Sequence, residues 1–171
     1  MLRHSHPELN GASYVVFADA QRRYTDASEG ACALLGYTRK EMLTKSVEDV
    51  SYKIADVPQI FAQYLKKGMM EGDYVVQHKD GSAIPIHFRA FTFPDGCNAA
   101  IWDPIKDWRE PYLSALLETN PVELKRKVEI ALSAVERARN SAHKPELSAD
   151  EQQALRDAKS ALATLARGAA G

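Results

Sequence analysis

Gly72-Asp-Tyr-Val-Val-Gln-His-Lys-Asp-Gly-Ser-Ala-Ile-Pro-Ile-His-Phe-Arg-Ala-Phe-Thr-Phe93 decides the fold, because two alternating runs flank the turn Lys79-Asp80-Gly81-Ser82. That arrangement predicts a long β-hairpin. Side chains alternate along a strand, so Tyr74 and Val76 share one face before the turn. Ile84, Ile86, Phe88 and Ala90 share one face after it, and a second layer must cover this apolar side.

Upstream, Tyr14-Val-Val-Phe-Ala18 and Tyr24 to Asp26 read as two short paired strands joined by a turn from Asp19 to Arg23. Ser28 caps a helix running to about Leu35, which Gly36 ends in a left-handed position. Thr38-Arg-Lys-Glu41 is a capping box opening another helical turn. Val57 to Lys67, with Ile60, Phe61, Tyr64 and Leu65 at helical spacing, predicts a longer helix, and Gly68 and Gly72 loosen its exit. Asn98-Ala-Ala-Ile-Trp102 supplies a fifth strand. The expected architecture is α+β: five antiparallel strands with short helices packed on one face.

Tyr24-Thr-Asp-Ala-Ser-Glu-Gly-Ala-Cys-Ala-Leu-Leu-Gly-Tyr37, the Thr38 to Glu41 box, the Asp80-Gly81 hairpin and the last strand ending at Asp103 together resemble the PAS sensor domain, over roughly Ser13 to Lys106. The chain departs from the family pattern where Ser28 replaces Asn, Gly30 replaces Ala, Lys45 replaces Gly, and Pro104-Ile105 follows Asp103 in place of Ile-Thr. Three segments are expected: a flexible N-terminal lead over 1–12, a PAS-like domain over 13–106, and a helical extension over 107–171.

In that extension Pro111 suits the start of a helix to about Glu118, and Asn120-Pro121-Val-Glu123 caps a longer one. Leu124, Val128, Ala131, Val135, Ala138 and Ala142 follow a four-three spacing. Ser148-Ala-Asp-Glu151 caps a last helix carrying Leu155, Ala158, Leu162 and Leu165. The two seams either close as a hairpin across the loop around Pro145 or pair between two chains, and a homodimer is the expected assembly. Pro104 restricts Asp103 to extended conformations and makes helix continuity across the junction doubtful.

An apolar share of 45% over 171 residues is that of a globular chain with a core. A net charge of -1 gives no general attraction to nucleic acid or anionic membranes, and Lys125-Arg126-Lys127 lies between Glu123 and Glu129 as a solvated face. No run spans a bilayer and Met1 to Pro7 lacks the apolar core of a secretion signal, so a cytoplasmic location is expected. Cys32 and Cys97 are read as reduced bystanders.

The resemblance implies a pocket between the inner sheet face and the long helix. Its expected wall is Phe61, Tyr64 and Leu65, and its expected floor is Tyr74, Val76, Ile84, Ile86, Phe88, Ala90, Ala99 and Ile101. The same stripes also suit an ordinary filled core. A buried phenol at Tyr64 or Tyr74 needs a hydrogen-bond partner, which a bound molecule or a backbone carbonyl supplies. His87 should face away from the pocket, His78 lies near its open end, and both are read as structural or exposed. The haem branch of the family hangs its iron from a histidine on the long helix, and Asp56 to Lys67 has none; Tyr64 and Met69 are read as core rather than as iron ligands. The flavin-adduct branch needs a cysteine that Ser46 to Lys53 lacks, so both cofactors are disfavoured.

Trp102 and Trp108 are expected to anchor the extension on the outer sheet face or to join a dimer contact. His4 and His6 are a weak metal pair with no third ligand near, and Glu48, Asp49, Asp150 and Glu151 offset helix dipoles. No nucleophile elbow, phosphate loop or metalloprotease motif occurs, so no enzyme is expected. Nor is a kinase, cyclase or DNA-binding segment seen after the domain. The first reading is a small-molecule sensor that reports through its C-terminal helices to a downstream partner or by self-association. The second is a ligand-free dimerisation or adaptor domain acting through its surfaces.

Overall fold

A computed structural model describes residues 6–53, 56–140 and 147–169. The chain divides into two compact units, one spanning Met1–Ser82 and Ile86–Asp103, the other Ala83–Pro85 and Pro104–Gly171. His4, Ala142 and Pro145, singled out above, lie outside the described residues.

The first unit is built on an antiparallel sheet of β1 (Val15–Ala18), β2 (Tyr24–Ala27), β3 (Met69–Gln77), β4 (Ala83–Thr92) and β5 (Asn98–Pro104), in the order β2-β1-β5-β4-β3. Between β2 and β3 the chain forms α1 (Glu29–Leu35), α2 (Arg39–Met42), a short turn of tight helix at Glu48–Val50, and α3 (Val57–Lys67). Local signals set these limits. The Ser28 hydroxyl accepts the Ala31 amide, Thr38 and Glu41 form the reciprocal capping box, and Gly36 and Gly68 end α1 and α3 in the left-handed region. Leu35, Met42 and Val50, fully enclosed, are the largest side chains these short helices bury.

The hairpin turn is tied to the helices at one point. The Lys79 amide donates to the Leu35 carbonyl at 2.8 Å, and the Lys79 ammonium meets the Glu41 carboxylate at 2.6 Å. That hydrogen bond, with those from the Thr38 amide and hydroxyl, holds the Glu41 carboxyl down at about 2. The His78 ring lies over Gly36, so close that a Cβ there would fall 2.5 Å from Nε2.

The second unit is helical: α4 (Arg109–Leu116), α5 (Pro121–Asn140) and α6 (Ala149–Gly168) surround one core of Trp108, Ala115, Val128, Ala131, Ala134, Val135, Leu155, Ala158 and Leu162. Leu124, Ala138 and Leu165 pack against its edge. The described part of both seams therefore meets within one chain. The Asn120 side chain accepts from the Val122 and Glu123 amides, and Ser148 accepts from Glu151, as helix-start residues do. Pro104 closes β5 rather than opening a helix, and the Ile105 amide donates to the Pro85 carbonyl at 2.9 Å.

Gly36 and Gly68 have the same backbone, φ +74 and +76, but differ in surroundings, since a Cβ at Gly68 meets nothing within 4 Å. Gly68→Ala should cost about 1 kcal/mol for the left-handed backbone alone, and Gly36→Ala about 2–3 kcal/mol because the His78 ring must also move. Urea unfolding of the two variants checks this, and equal losses would show that the His78 contact carries no weight.

Candidate functional site

Between α3 and the inner sheet face the first unit forms a partly open cavity of about 110 Å³. Its geometry follows from register. Val16 pairs with Ala100 and Ala18 with Asn98, and residues paired across antiparallel strands share a face. Val16, Ala18, Asn98, Ala100 and Trp102 therefore point inward, and all five line the cavity. From β3 and β4 come Met70, Tyr74, Val76, Ile86, Phe88 and Ala90. The wall is Val57, Ile60, Phe61 and Tyr64, one stripe of α3, with Val47, Val50 and Ser51 from the segment before it.

Of the sequence-predicted residues, Phe61, Tyr64, Tyr74, Val76, Ile86, Phe88 and Ala90 lie on the cavity. Leu65 does not; it falls one position past the stripe that Val57, Ile60, Phe61 and Tyr64 form. Ile84 is buried but is not part of the lining. The expected β5 parity is reversed. Val15 pairs with Ile101 and Phe17 with Ala99, which turns Ile101 off the floor and leaves Ala99 bordering the cavity from a strand position that faces the other way. Correspondingly, Trp102 is a cavity residue, 5% exposed, and not an outer-face anchor. Trp108 belongs to the helical core, stacked under the Arg109 guanidinium at 4.8 Å.

Sequence reading missed Tyr24, Ser51, Asn98, Ala100 and Trp102 as cavity residues. Val57 and Ile60 were findable, since they complete the i, i+3, i+4, i+7 spacing with Phe61 and Tyr64. Tyr24 was not, because a β-bulge places it. Pairing steps from Phe17↔Asp26 to Ala18↔Tyr24, skipping Thr25, so Tyr24 rather than Thr25 opposes Ala18 and turns inward.

Among the described residues the lining carries no charged side chain, histidine or cysteine. Aromatic rings meet edge-on across it: Tyr24 with Trp102 at 6.5 Å, Phe61 with Tyr64 at 5.4 Å, and Tyr74 with Phe88 at 5.9 Å. Side-chain hydrogen bonds join lining residues at two places. Ser51 gives its one hydroxyl proton to the Val47 carbonyl at 2.6 Å, so Tyr74 donates to Ser51 Oγ at 2.8 Å. Asn98 Oδ1 accepts from Thr92 Oγ1 at 2.9 Å and from the Tyr64 hydroxyl at 3.4 Å.

Burial raises both the Tyr24 and Tyr64 phenols above their ordinary value. At Tyr24, where Tyr74, Glu48 and Asp49 also disfavour a phenolate, the rise is large. Glu48 itself pairs with Arg22 through Oε1. His87 pairs with Asp73 at 2.9 Å, away from the cavity, and His78 with Asp80 at 3.0 Å in the hairpin turn. His6 stacks on Phe93 at 3.5 Å. Among the described residues no cluster of three or more metal-ligating side chains occurs, and no helix is long and apolar enough to cross a membrane.

Comparison with known proteins bears on the first unit. A family model described as PAS domain matches residues 12–102. The PAS domain of an HTR-like protein from Haloarcula marismortui is 20% identical, with a TM-score of 0.50 over 56% of this chain and 84% of that one. A domain of a sensory box sensor histidine kinase/response regulator from Geobacter sulfurreducens is 22% identical, with a TM-score of 0.49 over 52% of this chain and 80% of that one. A PAS domain from Colwellia psychrerythraea is 20% identical, with a TM-score of 0.48 over 54% and 85%. Among curated proteins none matches.

A phenol whose folded-state pKa is raised stays protonated while the unfolded chain ionises near 10, so folding stability falls as pH rises above that value. Replacing Tyr24 by Phe should flatten the alkaline decline by up to about 1.4 kcal/mol per pH unit. Urea unfolding across that range checks it, and unchanged slopes would mean Tyr24 ionises as freely folded as unfolded.

Proposed function

Because the chain belongs to the PAS domain family, whose members are sensory and signalling modules, we propose that it senses a small molecule held between the sheet and α3 and reports through its helical extension. The cavity carries this reading. Its wall is apolar and aromatic, with a few fixed polar groups, which is the composition of a ligand site. An apolar cavity of about 150 Å³ in another protein takes up benzene, so the smaller one here suits a guest of about four or five non-hydrogen atoms. With no charged group among the described lining residues, an ionic guest would lose its hydration uncompensated. No catalytic step is part of this function.

Sheet and extension are joined covalently. β5 carries Asn98, Ala100 and Trp102 in the cavity wall and runs on to Pro104, where the second unit's main segment begins. Within that unit Leu113, Leu116, Leu117 and Val122 are 43–80% exposed, at the end of α4 and the start of α5. A cluster of large exposed apolar side chains favours contact with another protein surface, and we place self-association there. The same cluster supports the second reading, an adaptor that works without a ligand.

Xenon separates the two readings. Wild-type protein should give a bound xenon resonance in NMR, which Ala100→Leu abolishes by filling the space; a wild-type chain that takes up no xenon leaves only the adaptor. For self-association, the double variant Leu117→Glu, Val122→Glu should sediment at lower mass than wild type with unchanged circular dichroism. Equal masses would remove these side chains from any dimer contact.

A further inference from the structure

His78, at the tip of the hairpin, has one ring nitrogen claimed by two groups with opposite demands. The Asp80 amide donates to Nδ1 at 3.1 Å, which requires a lone pair there. The Asp80 carboxylate oxygen Oδ1 lies 3.0 Å from the same nitrogen, which requires a proton there. Nδ1 carries a lone pair or a proton, never both. Each charge state of the imidazole therefore satisfies one partner and opposes the other.

The other charges around the ring are fixed. The Ser82 hydroxyl, then the Ser82 amide at 2.8 Å, hold the Asp80 carboxyl down at about 2, with His78 adding less. The Lys79 ammonium turns to Glu41, whose carboxyl is also held at about 2, and Lys79 and Lys45 both lie over the Tyr37 ring. What α1 presents to the imidazole is the backbone of Gly36, on the Nε2 side, at the helix end where the dipole is negative. Between about pH 5 and pH 8 the group that changes charge here is thus the imidazole.

That change has a path into the fold. The His78 amide and carbonyl close the turn with Ser82 and Gly81, each at 2.8 Å, and the next residue, Lys79, donates its amide to Leu35 in α1. A ring that changes partner at Nδ1 must shift on Gly36, where its contact leaves no room even for a Cβ.

We infer that His78 is a proton-operated contact between the hairpin and α1. Neutral, its Nδ1 accepts the Asp80 amide; protonated from solvent, it releases that amide and donates to the Asp80 carboxylate, with the ring re-seated against the end of α1. The contact works whether or not the cavity holds a guest.

The test is an NMR titration of the full ¹⁵N-labelled chain from about pH 8 to about pH 5. At the alkaline end His78 should be the Nε2–H tautomer, with the Asp80 amide proton shifted downfield by its bond to Nδ1. On acidification both ring nitrogens should become protonated, the Asp80 amide proton should move upfield, and the Gly36 and Lys79 amides should shift with the same midpoint. In His78→Gln, checked for fold by circular dichroism, these three amides should hold still over the same range. An Nδ1–H tautomer at the alkaline end would overturn the inference. So would an Asp80 amide that stays in place while His78 titrates, or Gly36 and Lys79 amides that ignore it; the wild-type titration decides all three without the variant.

Discussion

Ala18 at the centre of the inner sheet face is the constraint on which the first unit depends. It pairs with Tyr24 on one side and Asn98 on the other, and with Ala90 and Ala100 it lines a cavity whose rim is mostly large side chains. Protein interiors otherwise pack to crystal density, so clustered methyl side chains beneath a rim of Phe61, Tyr64, Tyr74, Phe88 and Trp102 leave space the aromatic rings do not close. Rings meeting edge-on at 5.4–6.5 Å prop one another rather than collapse into that space.

The hairpin turn and the helices act as the frame around this cavity. Lys79 joins the turn to α1 through a backbone hydrogen bond and to the start of α2 through Glu41, while Gly36 leaves room for the His78 ring. On the other side the Tyr52 amide donates to the Val75 carbonyl at 3.0 Å, and Ser51 bridges Val76, which ties the segment before α3 to β3. Both wall and floor are therefore held by backbone hydrogen bonds, leaving side chains to set the shape and polarity of the interior.

Much of this was legible beforehand where a local signal exists. Capping residues Ser28, Thr38, Asn120 and Ser148, the stops at Gly36 and Gly68, the Asp80-Gly81 turn and the α3 stripe each declare themselves within a few residues, because their physics acts over one turn of chain. The β3 and β4 faces were also readable, since their alternation is nearly clean. β5 was not. Asn98-Ala-Ala-Ile-Trp102 is apolar on both alternations, and Ala99, Ile101 and Trp102 are all buried, so composition does not say which set faces α3.

Short-range periodicity and capping set the order, type and limits of the elements, the family, and the two helical seams. Which residues make the cavity was decided only in three dimensions. Pairing of β5 with β1 turned Asn98, Ala100 and Trp102 inward and Ile101 away, and a one-residue bulge selected Tyr24 over Thr25. The physical reason is that a strand's side chains alternate with period two, so a single step in register, set by a partner far away in sequence, exchanges its two faces completely.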